Sequence, residues 1–279
     1  MKSVIYYLLG AESPSAISFA QAYPEIYFFF VSEERIISGQ DLENVECLEV
    51  TELAYEYIFG EPCSGFIPLT SFWYKRYCDY LDIPSPYLDL SATLVKIEQI
   101  FPGGVLPIRY VPDFSHASKW ILKGNMDHKS NALEFWEESS YVPTLDENIK
   151  CQEWKGACEN YLITGRTDDY GHYKMGLFRI HSEAFGKQGQ ILAAETIDDQ
   201  ELSSIVISLL ERLGYSGYFT FNIIKSSETY LITSFRPYAR SLIYSLRRAG
   251  VSLLDETKTN ELAKSGIKMI VHICYSEYI

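Results

Sequence analysis

The sequence predicts an α/β unit followed by α+β lobes, and three observations carry that expectation. Short apolar runs alternate with helical segments over residues 1–82. A proline-punctuated stretch, Asp82-Ile83-Pro84-Ser85-Pro86, then interrupts them. Beyond it, paired strand patterns with tight turns surround long amphipathic helices. The 279 residues, 47% hydrophobic and 22% charged, suffice for two packed units and exclude disorder, collagen and coiled coil. Aromatic side chains make up 15%, which points to bulky cores and aromatic-faced strands.

Lys2 to Leu9 is a near-continuous apolar run, as a parallel strand buried on both faces requires. It reads as a first strand and not as a signal peptide, because it carries one Lys and ends close to Glu12. Gly10 closes it, and Ser13 as cap with Pro14 at the first helical position opens a helix to about Ala22. Ile26 to Val31 and Val45 to Val50 are the next strands, and Thr51-Glu52-Leu53-Ala54 starts another helix. Gly65 to Leu69 is a fourth strand, followed by a helix at Phe72 to Leu81. No G-x-G-x-x-G follows the first strand, so a dinucleotide-binding unit is not expected. The expected boundaries are 1–82 for the α/β domain, 83–156 for a linker helix (Ser91 to Phe101) with a small lobe, and 157–279 for a large lobe.

In the later lobes, Lys119 to Lys123 is a short strand. Glu159 to Gly165 and Tyr173 to His181 form a hairpin across residues 167–171, and Gln190 to Thr196 is a further strand. Leu202, Ile205, Val206, Leu209, Leu210 and Leu213 keep helical spacing, with Asp198 or Asp199 as cap and Gly214 as stop. Tyr218 to Lys225 and Thr229 to Phe235 pair about Ser226-Ser227-Glu228, and a helix runs from about Ala239 to Ala249. Glu134, Glu137 and Glu138 read as a solvated helix face.

Twenty-four Lys and Arg against 37 Asp and Glu leave a net charge of −13, which opposes nucleic-acid backbones at long range. A single nucleotide held by local cations is compatible with it. The apolar run Ile26 to Val31 is too short to span a bilayer, so no membrane partner is expected. Six cysteines (47, 63, 78, 151, 158, 274) are scattered without a C-x-x-C, so reduced thiols in a cytoplasmic protein are expected instead of a zinc site. The five histidines show no metal-ligand spacing.

Three segments hold residues suited to chemistry. Lys119-Trp120-Ile121-Leu122-Lys123-Gly124 ends a buried strand on a lysine, which holds phosphate as a point charge. In Cys151-Gln152-Glu153-Trp154-Lys155-Gly156-Ala157-Cys158-Glu159 an extended segment breaks at a glycine and a carboxylate follows. Backbone groups there can read an adenine edge, and a carboxylate can accept ribose hydroxyls, although a plain surface turn has the same pattern. The third runs from Gly214-Tyr215-Ser216-Gly217 through Tyr230-Leu231-Ile232 to Arg236-Pro237-Tyr238-Ala239-Arg240-Ser241. Arg179 and His181 alternate on one strand face, where a substrate carboxylate would be met.

The third segment resembles the metal-binding hairpin of the ATP-grasp superfamily, in its carbamoyl-phosphate-synthase-like, carboxylate–amine ligase branch. The likeness extends over most of the chain, from about residue 60 onward. It implies a pre-ATP-grasp-like α/β domain followed by α+β ATP-grasp lobes with antiparallel sheets. It implies Lys123 on the α- and β-phosphates with Lys96 nearby, Glu153, Trp154 and Lys155 along adenine, and Glu159 on ribose. Arg236 and Arg240 are the catalytic candidates.

The family's second strand reads Tyr-Leu-Ile-Glu-x-Asn-Pro-Arg. Aligned without gaps, its metal-binding Glu falls on Thr233, its Asn on Phe235 and its Arg on Pro237. An earlier ligand falls on Phe221, or on Asn222 if the strand slips by one. These replacements count against magnesium, which needs hard oxygen ligands. The resemblance therefore implies ATP or ADP as ligand, an unidentified carboxylate or amine substrate, and weak or lost acyl-phosphate chemistry. A second copy of the chain, or an enzyme it serves as accessory subunit, is the expected partner. Two other readings stand beside this one: an active ligase with unconventional metal ligands, and a small-molecule binding protein of another fold.

Overall fold

β1 (Ile5–Leu9), β2 (Tyr27–Ser32), β3 (Val45–Glu49) and β4 (Gly65–Pro68) form a parallel sheet in the order β3-β2-β1-β4. The apolar run of β1 is explained by burial on both sides. Tyr6 and Leu8 join Phe28, Phe30 and the helix α1 (Ser15–Ala22), whose Ala16, Phe19 and Ala20 are buried. Tyr7 and Leu9 face the other way, with Val31, Phe59 and Trp73 of α2 (Ser71–Tyr80). The computed structural model describes residues 5–10, 15–33, 42–50, 58–59, 65–82, 87–88, 90–109, 119–123, 134–137, 150–153, 155, 158–167, 173–181, 193–238, 253–254 and 270–272. Ser13, Pro14, Thr51 to Ala54 and the helix expected at 239–249 lie outside them.

A six-stranded antiparallel sheet follows, built from β9 (Glu159–Thr167), β10 (Tyr173–His181), β11 (Ala193–Thr196), β12 (Gly217–Ser226), β13 (Thr229–Arg236) and β14 (Ile270–His272). Its order is β13-β12-β9-β10-β11-β14. One face carries α3 (Leu90–Ile100) and α4 (Gln200–Leu213), through Leu94, Ile97, Leu202, Val206 and Leu210 against Ile163, Phe219, Phe221, Ile232 and Phe235. The opposite face adds Leu162, Phe178 and Ala194 to the core around α1, so the two sheets share one apolar layer. Phe19 meets the Tyr218 ring edge-on at 6.4 Å, and the Tyr23 hydroxyl accepts from Leu253 N at 2.7 Å.

α4 carries the signals expected of it. Asp199 caps it by accepting from Leu202 N at 2.9 Å, and Gly214 ends it in the left-handed region at φ 60°. The third sheet is small and antiparallel: β5 (Ile108–Arg109), β8 (Lys150–Glu153), β6 (Lys119–Lys123) and β7 (Glu134–Glu137), in the order β5-β8-β6-β7. β7 corrects the helical reading of Glu134 and Glu137, whose positions pair in register with Leu122 and Lys119 on β6. Cross-strand pairing outweighs the helix propensity of glutamate here; Glu138 lies outside the described residues. β5 and β14 were not anticipated. Cys47, Cys78, Cys151 and Cys158 are free thiols. Among the described residues, no helix is long and apolar enough to cross a membrane.

Two measurements test this packing. A Cβ on Gly165 would lie 2.3 Å from the Lys174 carbonyl oxygen on the adjoining strand, so Gly165→Ala is expected to cost about 1–3 kcal/mol in urea unfolding. An unchanged midpoint would contradict the β9–β10 register. Asp199 is raised by desolvation but lowered further by Leu202 N–H and the Tyr230 hydroxyl, and its net shift is downward from 3.8. A depressed carboxylate stabilises the fold above its unfolded pKa, and that contribution is lost as pH falls through the folded value. Wild-type stability should therefore drop below about pH 4 more steeply than that of Asp199→Asn.

Candidate functional site

The hairpin β12–β13 places its side chains by a simple rule with one interruption. Phe219, Phe221 and Ile223 alternate toward the helices, as do Tyr230 and Ile232. Between Asn222 and Ile223 the register shifts: Asn222 pairs with Ser234 but Ile223 with Ile232, leaving Thr233 as the extra residue of a bulge. Phe235 thereby returns to the helix side, fully buried with its ring 4.7 Å from Phe221. The opposite face receives Thr220, Asn222, Ser234 and Arg236. This moves the polar positions of β13 by one from those the gap-free alignment reached, since Phe221 and Phe235 belong to the core.

Hydrogen bonds fix that face. Asn222 Nδ2 donates to Ser234 Oγ at 2.6 Å, and Thr233 Oγ1 donates to Asn222 O at 3.2 Å. Thr164 Oγ1 and Thr220 Oγ1 lie 3.1 Å apart, with the carbonyls of Phe219 and Tyr238 within reach at 3.1 and 3.0 Å. Arg236 stands opposite Thr220. Its Nη1 is buried and meets no acceptor among the described residues. A buried donor left unmade costs about 1–3 kcal/mol, more when charged.

The neighbouring row of the same face holds Tyr218, Arg166 and Lys174, aligned across β12, β9 and β10. The Arg166 guanidinium lies 5.4 Å from the Tyr218 ring centroid and donates to Leu253 O at 3.4 Å. Read along β9, β10, β12 and β13, the face presents Arg166, Lys174 and Arg236 and no Asp or Glu. The alternation Tyr218, Thr220, Asn222 between Phe219, Phe221 and Ile223 is the sequence signal that could have revealed it.

The other expected site residues are dispersed. Lys123 ends β6 opposite Lys150, which is itself buried on β8. Glu153 ends β8 and pairs with Lys155 at 2.6 Å. Trp154 and Arg240 lie outside the described residues. Glu159 sits on the helix side of the large sheet, where it accepts from the Tyr161 hydroxyl at 2.6 Å and lies 3.6 Å from Arg179. Burial, with Glu159 adding to it, pushes the Tyr161 hydroxyl up to about 12. Lys96 is on the exposed side of α3, its Nζ 5.7 Å from the Tyr87 ring, which in turn packs on Phe235. Lys96 and Glu159 are thus separated by the sheet from Arg236.

A strap joins the small sheet to the hairpin. Ile232 N donates to Gly104 O at 2.8 Å, Leu106 N donates to Ile232 O at 3.0 Å, and Gln152 Nε2 donates to Leu106 O at 2.7 Å. The residue before Glu153 is therefore tied to the strand position beside the bulge, which nothing in the sequence foretold.

The family resemblance implies magnesium at this hairpin, and the residues present do not fit it. Two hydroxyls and an amide offer neutral oxygens, no carboxylate faces them from these strands, and a guanidinium occupies the same face. Among the described residues, no three His, Cys, Asp or Glu side chains come together as a metal site.

No protein-family model and no curated protein matches the sequence. Solved structures do match. The L-amino acid ligase from Bacillus licheniformis superposes with a TM-score of 0.61 at 11% identity, over 91% of this chain and 72% of that one. N5-carboxyaminoimidazole ribonucleotide synthetase from Thermus thermophilus gives 0.63 at 10%, over 85% and 72%. Biotin carboxylase from Campylobacter jejuni, in complex with β,γ-ATP, gives 0.60 at 11%, over 90% and 69%. The chain has the ATP-grasp fold.

Gln152 tests the strap. Gln152→Leu leaves the buried Leu106 carbonyl without that donor and is expected to lower stability by about 1–3 kcal/mol in urea. A loss below the resolution of the measurement would mean that the strap does not hold the small sheet.

Proposed function

We propose that the chain binds an adenine nucleotide in the manner of ATP-dependent carboxylate–amine ligases, and that its phosphoryl-transfer activity is weak or lost. The observation that carries this reading is the composition of the β12–β13 face: the fold is that of nucleotide-dependent enzymes, yet its hairpin offers an amide, hydroxyls and a guanidinium without a carboxylate. Solved neighbours in fold support the ligand class: one is a β,γ-ATP complex, and an N5-carboxyaminoimidazole ribonucleotide synthetase is an ADP complex.

Lys123 supplies the cation for the phosphates, from a strand end that already faces Lys150. Glu153-Trp154-Lys155, which follows the strap residue Gln152 in sequence, supplies backbone groups for the adenine edge. Glu159 faces the helix side, where Tyr161 and Arg179 engage it, so a nucleotide on the polar face of β12–β13 draws no ribose contact from it. Transfer of a γ-phosphate spreads negative charge that metals and cations must offset. Each ~1.4 kcal/mol of lost offset is a decade in rate, so a hairpin without metal-binding carboxylates turns over little. The substrate carboxylate or amine is then bound without being activated, as suits an accessory subunit.

Titration calorimetry with ATP and ADP, alongside a phosphate-release assay, tests the reading. Binding with little phosphate release is expected, and Lys123→Ala should weaken binding by about tenfold or more. Absence of binding, or an unchanged affinity in that variant, would overturn it; rapid phosphate release would establish an active ligase instead.

A further inference from the structure

We propose that Arg236 takes the place of a divalent cation, so that Asn222, Ser234 and Arg236 hold the phosphate chain of a nucleotide directly, free of metal. The proposal rests on the nucleotide reading for the identity of the ligand, but not for its charge. A chain of net charge −13 has placed Arg166, Lys174 and Arg236 on one sheet face, and β9, β10, β12 and β13 present no Asp or Glu on that face.

The donors are already aimed. Arg236 is half-buried, its Nη1 has no acceptor among the described residues, and a planar guanidinium matches phosphate oxygens two at a time. Ser234 Oγ accepts from Asn222, which leaves its own hydrogen to donate. The bulge at Thr233 puts Ser234 and Arg236 on that side together. A divalent cation among these groups would be repelled by Arg236 and would find no carboxylate on this face among the described residues. Magnesium therefore acts in solution only, where it competes for the phosphate oxygens and weakens binding.

Calorimetry on the full chain with ATP and with inorganic tripolyphosphate, each in EDTA and in excess magnesium, decides the matter. Expected results are ATP binding in EDTA, a several-fold loss on adding magnesium, and a further loss of about tenfold or more in Arg236→Gln. Arg236→Lys, which keeps the charge, should fall between. Arg236→Asp should bind no ATP in EDTA and regain binding with magnesium, a reversal that a merely structural role would not produce. Wild-type binding that requires magnesium, or Arg236→Gln binding as tightly as wild type, overturns the proposal while leaving the nucleotide reading intact. Tripolyphosphate binding that depends on Arg236, with ATP no tighter, supports the anion site and removes adenosine recognition. No binding of either ligand overturns both.

Discussion

One surplus residue in β13 decides what the hairpin can present to a ligand. Ile232 and Phe235 are three positions apart, and in an uninterrupted strand they would point to opposite faces. Both are fully buried in the same core, Phe235 against Phe221, Tyr215 and Tyr87. Burying one such side chain is worth about 1.5–3 kcal/mol, so the packing of Phe235 enforces the bulge at Thr233. Ser234 and Arg236 then have only the other face to occupy. Their placement on the polar side is a consequence of core packing, not of any local preference of serine or arginine.

The same constraint explains how much of the molecule was legible beforehand. Apolar runs, near-continuous in β1, located β1 to β4 and the β9–β10 and β12–β13 hairpins, because burial leaves its mark on the residue order. α4 was legible to its stop at Gly214 and to within one residue at its cap, where Asp198 and Asp199 were both candidates and Asp199 is the one that caps. Two-residue β5 and three-residue β14 carry too little pattern to register. Glu134 and Glu137 misled because strand pairing with β6, a long-range contact, overrides local propensity. The site suffered most from the bulge: a gap-free reading slips by one residue and exchanges Ser234 for Phe235. Which face Lys96 and Glu159 occupy depends on Tyr87, Tyr161 and Arg179, partners chosen by tertiary structure alone.

β13 is the edge of the large sheet, and its outer N–H and C=O groups need a partner or a cover. At Ile232 the segment Gly104 to Leu106 provides one, through two backbone hydrogen bonds. The glycine at 104 is required for a close approach, because a Cβ there would fall 1.8 Å from the Phe101 ring. Since Gln152 holds Leu106 in turn, edge protection and the anchoring of β8 are one contact chain. The small sheet is thereby joined by hydrogen bonds to the residue preceding the bulge.

Charge sets the last condition. At physiological salt the Debye length is about 8 Å, so three cations on one sheet face act locally while the net charge of −13 acts against extended polyanions. On the proposed reading, such a balance would favour a short phosphate chain over a nucleic acid. A guanidinium also differs from a metal ion in what it does once the anion has arrived. It fixes oxygen atoms through a rigid fork of hydrogen bonds, but it carries a single delocalised charge and polarises the phosphoryl group less than a divalent ion would. If Arg236 is the counter-charge, as proposed, affinity for the phosphate chain and weak phosphoryl transfer would have the same cause.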